Sequence, residues 1–292
     1  MSNEEKNKVV GGTLYLVATP IGNLADLSER AVKVLSEVDF IAAEDTRNSV
    51  RLLTYLDIRK PMVAYHEHNR MEAGESIAQR LLAGESCALI TDAGTPAISD
   101  PGEDLVALCA EKGIPVTSIP GCCAAVVALT LSGLPTRRFV FEGFLSAVAK
   151  DRRERLRKLK NEERTVIFHE APHKLKKTLA DMLEIFGGER RISLCRELTK
   201  LNEDIFRTDL AGAVSFYDEH EPRGEYVLVL DGCTEADSVE DEGGLLSLSV
   251  TEHVNFYIAQ GQDKKQAMKS AARDRGVTKS EIYREYVTIG EN

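Results

Sequence analysis

At 292 residues, 43% of them hydrophobic and 29% charged, the chain is long enough to bury a sizeable core and to divide into two domains. Its net charge of −10 excludes a nonspecific nucleic-acid coat, although RNA footprints are made by local basic patches rather than by net charge. The N-terminal MSNEEKNKVV is polar and of mixed charge, unlike a signal peptide, and the most apolar stretch (119–135) is bracketed by prolines and too short to span a bilayer. Six cysteines without metal-like CxxC spacing read as reduced thiols of a cytoplasmic protein, with adjacent Cys122 and Cys123 as small apolar fillers or a redox pair.

In chain order, GGTLYLVATPIGN (11–23) is a β-prone run stopped by Pro20, Gly22 and Asn23. Ser28 can cap the helix ERAVKVLSEV, where Ala31, Val34, Leu35 and Val38 follow helical spacing. A short strand DFIAAED, a helix over 71–84, strand CALIT, helix GEDLVALCAEKG, strand PVTSI and a glycine-started helix from about 121 follow. Strands separated by single helices predict a parallel sheet with right-handed crossovers, giving an N-terminal α/β domain over 11–135. A second α/β domain over 136–232 is predicted from strand RFVFEGF, basic helix KDRRERLRKLK, strand RTVIFHE, helix HKLKKTLADMLEIFG, strand RISLCREL and strand GEYVLVLDG. An acidic linker (233–246) leads to a helix-turn-helix-like module (247–292), with two helices joined at Gly276 and capped by Thr278 or Ser280.

Three strand ends of the first domain carry distinctive residues: TPIGN (19–23), AEDTR (43–47) and TDAGTP (91–96), and a fourth, SIPGCCAA (118–125), feeds a helix of small residues. In a parallel sheet these ends share one edge, where open α/β folds bind ligands. GxGxxG and GxxxxGK[ST] are both absent, and carboxylates would repel a phosphate. The edge suits a cationic or neutral, hydroxyl-rich ligand, and S-adenosylmethionine is one. Among groups able to take a proton from a nucleophile, Glu44, Asp45, His66 and Asp92 are the candidates. Alternative roles are open for each: helix cap and ion pair with Arg47 for Glu44 or Asp45, loop hydrogen bonding for His66, and turn capping for Asp92 and Asp100. His66 and His68 alone are too few to hold a metal, so none is expected.

The ordered set TPIGNLADLSERAVKVLSEVDFIAAEDTR, TDAGTPAISDPG, IPGCCAAVVALTLSGLP, FHEAPHK and CRELTKLNEDIFR resembles the ribosomal RNA small subunit methyltransferase I family of the tetrapyrrole methylase superfamily, over about residues 11–232. That resemblance implies a homodimeric, S-adenosylmethionine-dependent enzyme that methylates the ribose 2′-hydroxyl of a cytidine in the decoding region of 16S rRNA. It implies cofactor contacts from Pro20, Ala93, Gly94, Thr95, Ile98, Cys123, Ala124, Glu170, Leu198, Gly224 and Glu225. Cys123-Ala124 stands where the superfamily usually has Ser/Thr-Ala. Gly94-Thr95-Pro96 stands where tetrapyrrole methylases usually read GDP, which points away from a porphyrinoid substrate. Arg47, Arg152, Arg153, Arg155, Arg157, Lys158, His173 and Lys174 form a candidate phosphate-tracking surface, or simply a solvated helix face. The expected partner is 16S rRNA within the assembled small subunit. A tetrapyrrole methylase, and a nucleic-acid-binding regulator with a vestigial catalytic domain, are the competing readings.

Overall fold

A computed structural model describes residues 8–234 and 248–289. The predicted acidic linker therefore lies almost wholly outside the described residues. One compact unit carries two five-stranded sheets, and a second carries the C-terminal helices.

The first sheet contains β1 (Leu14–Val17), β2 (Phe40–Ala43), β3 (Met62–Ala64), β4 (Cys87–Ile90) and β5 (Val116–Ile119), in the order β3-β2-β4-β1-β5. Every pairing is parallel. β2 and β4 are buried at every position, as central strands covered on both faces must be. One face packs Val17, Val34, Leu35 and Ile41, and the other packs Leu14, Phe40, Ile77 and Leu105. Ser28 caps the helix Glu29–Glu37 as expected, accepting from the Ala31 amide at 3.2 Å. The helix Thr46–Tyr55 has no counterpart among the elements read from sequence.

The second sheet contains β6 (Phe139–Phe144), β7 (Thr165–Glu170), β8 (Arg191–Arg196), β9 (Asp204–Asp209) and β10 (Tyr226–Leu230), in the order β6-β7-β10-β8-β9. Only β6 and β7 run parallel; β10 lies antiparallel between β7 and β8, and β9 closes the far edge. β9 and the helix Leu210–Glu219 go beyond the elements read from sequence. The helix Ala124–Ser132 follows the first sheet in the chain, yet Ala125, Ala128 and Leu129 pack on Ile167, Cys195, Val227 and Val229 of the second. Its small residues let helix and sheet approach closely.

In the C-terminal unit, helices Val250–Ala259, Lys264–Asp274 and Lys279–Ile289 enclose Val254, Ala267, Met268, Ala271 and Ile282. The first of the three goes beyond the two helices expected from sequence. Thr278 caps the last, donating to Glu281 at 2.7 Å and accepting from its amide at 3.3 Å. Among the described residues, no helix is long and apolar enough to cross a membrane.

Candidate active site

Parallel pairing brings the ends of β1, β2 and β4 to one edge, and a cavity of about 520 Å³ opens there against the second sheet. Its size lies within the usual range for small-molecule sites. The first sheet supplies Glu44, Thr91, Asp92 and Ala93, followed by Ile98, Ser99 and Asp100 from the loop after β4. Phe144, His169 and Glu170 come from the ends of β6 and β7, Cys195 and Leu198 from the end of β8, and Glu225 to Val227 from the start of β10.

The loop after β4 is tied down from several sides. Thr19 and Gly94 exchange backbone hydrogen bonds at 2.9 and 3.0 Å, and the Thr19 hydroxyl donates to the Thr91 carbonyl at 3.0 Å. Gly94 has φ +89°, a conformation that a side chain would strain. Thr95 donates to the Cys122 carbonyl at 2.9 Å, so its hydroxyl joins this loop to the one after β5. Asp100 accepts from the amides of Ala97 and Gly102 through Oδ1, at 3.0 and 2.7 Å, while Oδ2 is buried without a partner. Ala97 and Ser99 here, and Glu197 and Thr199 across the cavity, all adopt positive φ. Such backbone strain clusters at ligand sites. The loops of the two sheets also meet at Gly22, where a Cβ would come within 2.9 Å of the Leu198 carbonyl.

The four candidate bases separate clearly. Glu44 is half-buried on the cavity wall; burial is the main cause of its raised pKa, aided by the Asp92 and Asp100 charges and opposed by the Thr91 hydrogen bond at 3.0 Å. Asp92 accepts from Asn48 at 3.1 Å. Asp45 lies outside the lining: it caps the helix Thr46–Tyr55 and grips Arg47 at 3.0 and 2.7 Å. Hydrogen bonds from Arg47 pull its pKa down to about 2, leaving a poor proton acceptor. His66 also lies outside the lining; its amide donates to Asn69 and its ring Nδ1 is buried without a partner.

Of the candidate cofactor residues, Ala93, Ile98, Ala124, Glu170, Leu198 and Glu225 line the cavity. Pro20, Gly94, Thr95 and Cys123 belong to the loops that shape it, and Gly224 packs against the Glu197 side chain. Glu170 is buried and accepts from the Ala171 amide at 2.9 Å, Thr178 at 2.5 Å and Lys174 at 3.0 Å. Lys200, which sequence reasoning missed, pairs with Glu197 and Glu225 at 2.9 and 2.7 Å. Burial lowers its pKa, but those two carboxylates outweigh it and the net shift is upward. His169 and Phe144 were also missed: they occupy strand ends in the mixed sheet, whose topology the strand-and-helix pattern does not specify.

The basic helix is far less basic in effect than in sequence. Arg152 is turned inward, 4% exposed, and its guanidinium holds buried Asp181 at 2.6 Å, which removes it from the candidate RNA surface. Arg153 pairs with the same Asp181, Arg155 with Glu142 and Lys158 with Glu154, each at 3.1 Å or closer. Lys174 is held by Glu170 and the Leu145 carbonyl. Arg47 is exposed but neutralised by Asp45, whereas Arg157 and His173 remain on the surface.

The sequence profile of the family described as Tetrapyrrole (Corrin/Porphyrin) Methylases matches residues 13–214. The chain belongs to this family. Proteins called ribosomal RNA small subunit methyltransferase I are extensively similar to it: that of Halalkalibacterium halodurans is 49% identical over 94% of each chain. The Pseudomonas aeruginosa protein is 48% identical over 94% of this chain and 96% of its own, and the Bacillus subtilis protein 44% identical over 94% of each. Among solved structures, a uroporphyrin-III C-methyltransferase from Thermus thermophilus complexed with S-adenosyl homocysteine shares the fold at TM-score 0.54 and 17% identity, covering 75% of this chain and 97% of that one. A cobalt precorrin-4 methyltransferase aligns at TM-score 0.57 and 14% identity, covering 75% and 95%. The family fold thus accounts for the two sheets and the cleft between them.

Proposed function

We propose that the chain is an S-adenosylmethionine-dependent methyltransferase acting on the ribose 2′-hydroxyl of a cytidine in the decoding region of 16S rRNA. The observation that carries this reading is the extent of similarity. The tetrapyrrole methyltransferase structures cover three-quarters of the chain, whereas the ribosomal RNA methyltransferases match over more than nine-tenths at 44–49% identity. Assembled small subunits are the expected substrate, because an acidic chain whose basic helix is largely ion-paired is suited to shape-specific docking rather than to coating RNA. A homodimer in the cytoplasm belongs to the same reading.

The cleft fits the cofactor chemically. Backbone-shaped loops with small residues at Ala93, Gly94 and Ala124 allow close approach, and the carboxylates of Glu44, Asp92 and Asp100 complement a cation while rejecting phosphate. The Asp100 Oδ2, buried without a partner, is an acceptor for an ammonium or hydroxyl group. When bound, the cofactor supplies an electrophilic methyl on a sulfonium. Ala93, Gly94, Ile98, Ala124 and Leu198 would hold it, with Glu225 and Tyr226 closing the second-sheet side. Glu44 would accept the proton from the attacking hydroxyl, since its raised proton affinity and its place on the wall suit that task better than the Arg47-bound Asp45. Arg157 and His173 remain available for phosphates.

Labelled S-adenosylmethionine should be incubated with the chain and either assembled small subunits, naked 16S rRNA or a tetrapyrrole precursor. The reading predicts label in rRNA ribose, with subunits preferred over naked RNA. Transfer to the tetrapyrrole alone would replace it with the porphyrinoid reading.

A further inference from the structure

The mixed sheet presents an aromatic cluster to the cleft, and a single inserted residue creates it. β6 and β7 pair Phe141 with Ile167, then Gly143 with Phe168 and Phe144 with His169, so Glu142 is an extra residue that shifts the register. A bulge of this kind bends a strand and re-aims the side chains beyond it. Without it, Phe144 would pair with Glu170. With it, Phe141 and Phe144 flank the His169 ring at centroid distances of 5.1 and 5.3 Å, each inclined by 71°.

Two features of this cluster are unexplained by the fold. Phe144 is 58% exposed while lining the cavity, with the Lys174 ammonium 5.5 Å from its ring centroid and the rest of the ring open at the mouth of a ligand site. His169 Nε2 is shielded from solvent and has no hydrogen-bond partner. Burial lowers the His169 pKa against the opposing Glu225 charge and so favours the neutral ring, which has one donor and one acceptor nitrogen. Together they offer a π-face beside a polar atom awaiting a partner.

Resting on the proposed function, we propose that this cluster seats the target nucleotide's base, which stacks on Phe144 while its polar edge hydrogen-bonds to His169. The charges around the cavity select for this part of a nucleotide. Glu44, Asp92 and Asp100 on the first-sheet side disfavour a phosphate and also the carboxylates that fringe biosynthetic tetrapyrroles, while Lys200 on the second-sheet side is ion-paired with Glu197 and Glu225. A neutral base on its ribose meets no such penalty. Taking a nucleotide out of its stack is unfavourable, and contacts to an aromatic face and to a base edge offset that cost.

The test is steady-state methylation of assembled small subunits by the full chain and by Phe144→Ala, Phe144→Tyr and His169→Phe, with cofactor binding followed separately by calorimetry. Base–aromatic stacking predicts a rise in KM for subunits of about 5- to 150-fold in Phe144→Ala. Cofactor affinity should hold, and Phe144→Tyr should recover most of the loss because it keeps a π-face. His169→Phe, which keeps the ring and loses the hydrogen bond, should raise KM by a smaller factor. A wild-type KM in Phe144→Ala overturns the base seat while leaving the functional reading intact. A parallel loss of cofactor affinity overturns it too, assigning the ring to the cofactor. If the unaltered chain transfers no label to RNA but methylates a porphyrinogen, the functional reading fails and the seat with it.

Discussion

The two sheets meet at one cleft but contribute to it by opposite rules. In the first, every strand runs the same way, so its contributions are strand C-termini and the loops after them: Glu44 after β2, and Thr91, Asp92 and Ala93 after β4. In the second, β10 runs against its neighbours, and Tyr226 pairs with both Glu170 and Arg196. The start of one strand therefore lies between the ends of two others, and residues far apart in sequence converge as Phe144, His169, Lys200 and Tyr226. The first edge is acidic and the second aromatic. A parallel edge can concentrate like charge from successive loops, while a mixed edge mixes chemistries.

The largest expected effect tests the acidic edge. Glu44→Gln should slow single-turnover transfer by about 10²- to 10⁴-fold, the usual contribution of a general base, with cofactor affinity less affected. In the wild type, the rate should fall as pH drops through the raised Glu44 pKa. The stability consequence has the opposite sense. A carboxyl with a raised folded pKa stabilises most below its unfolded pKa, near about 4.3, and that contribution is lost as pH rises through the folded value. Glu44→Gln should thus melt higher than wild type at pH 7, with the gap narrowing in acid. An unchanged melting temperature across that range would remove the claim that the carboxylate is held against its preference.

A comparable effect, this time on folding, is expected behind the aromatic edge. Arg152→Ala leaves Asp181 buried with only Arg153, and should cost about 3–5 kcal/mol in urea denaturation, as breaking a buried pair does. Arg157→Ala on the same helix should leave stability near wild type and weaken subunit binding in a salt-dependent way. If Arg152→Ala instead behaves like Arg157→Ala, the inward placement of Arg152 is wrong.

This contrast also explains what could be read from the sequence. Alternating strands and helices predict a parallel sheet, and a parallel sheet brings strand ends together, so Glu44 and Asp92 were legible as residues of the cavity edge, while Ala93 and Ile98 were named through the family resemblance. No comparable rule places Tyr226 beside Glu170, since antiparallel order is set by tertiary packing, and β9 with its following helix carries no motif that marks it. Arg152 reads as a surface residue in sequence because its neighbours are largely basic; the inward turn comes from Asp181, 29 residues on, which the local pattern does not contain. Asp45 and Glu44 are adjacent, and only the backbone decides which faces the cavity and which caps a helix.

A smaller effect probes the loop that joins the edges. Gly94→Ala meets no clash, its Cβ lying 3.5 Å from Ile21, but the positive φ should cost about 1–2 kcal/mol. Calorimetry should show weakened cofactor binding beyond that folding cost. Equal affinity in Gly94→Ala would mean that the loop's backbone is not what meets the cofactor.

The most direct measurement is single-turnover transfer of labelled methyl groups to assembled small subunits by the wild type and by Glu44→Gln, followed by alkaline hydrolysis of the rRNA. A 2′-O-methyl group blocks cleavage at its own nucleotide. The predicted result is one alkali-stable labelled dinucleotide, formed quickly by the wild type and at least about 100-fold more slowly by the variant, as expected for a general base. Label released entirely as mononucleotide, or equal rates from the two proteins, would contradict ribose methylation or the part assigned to Glu44.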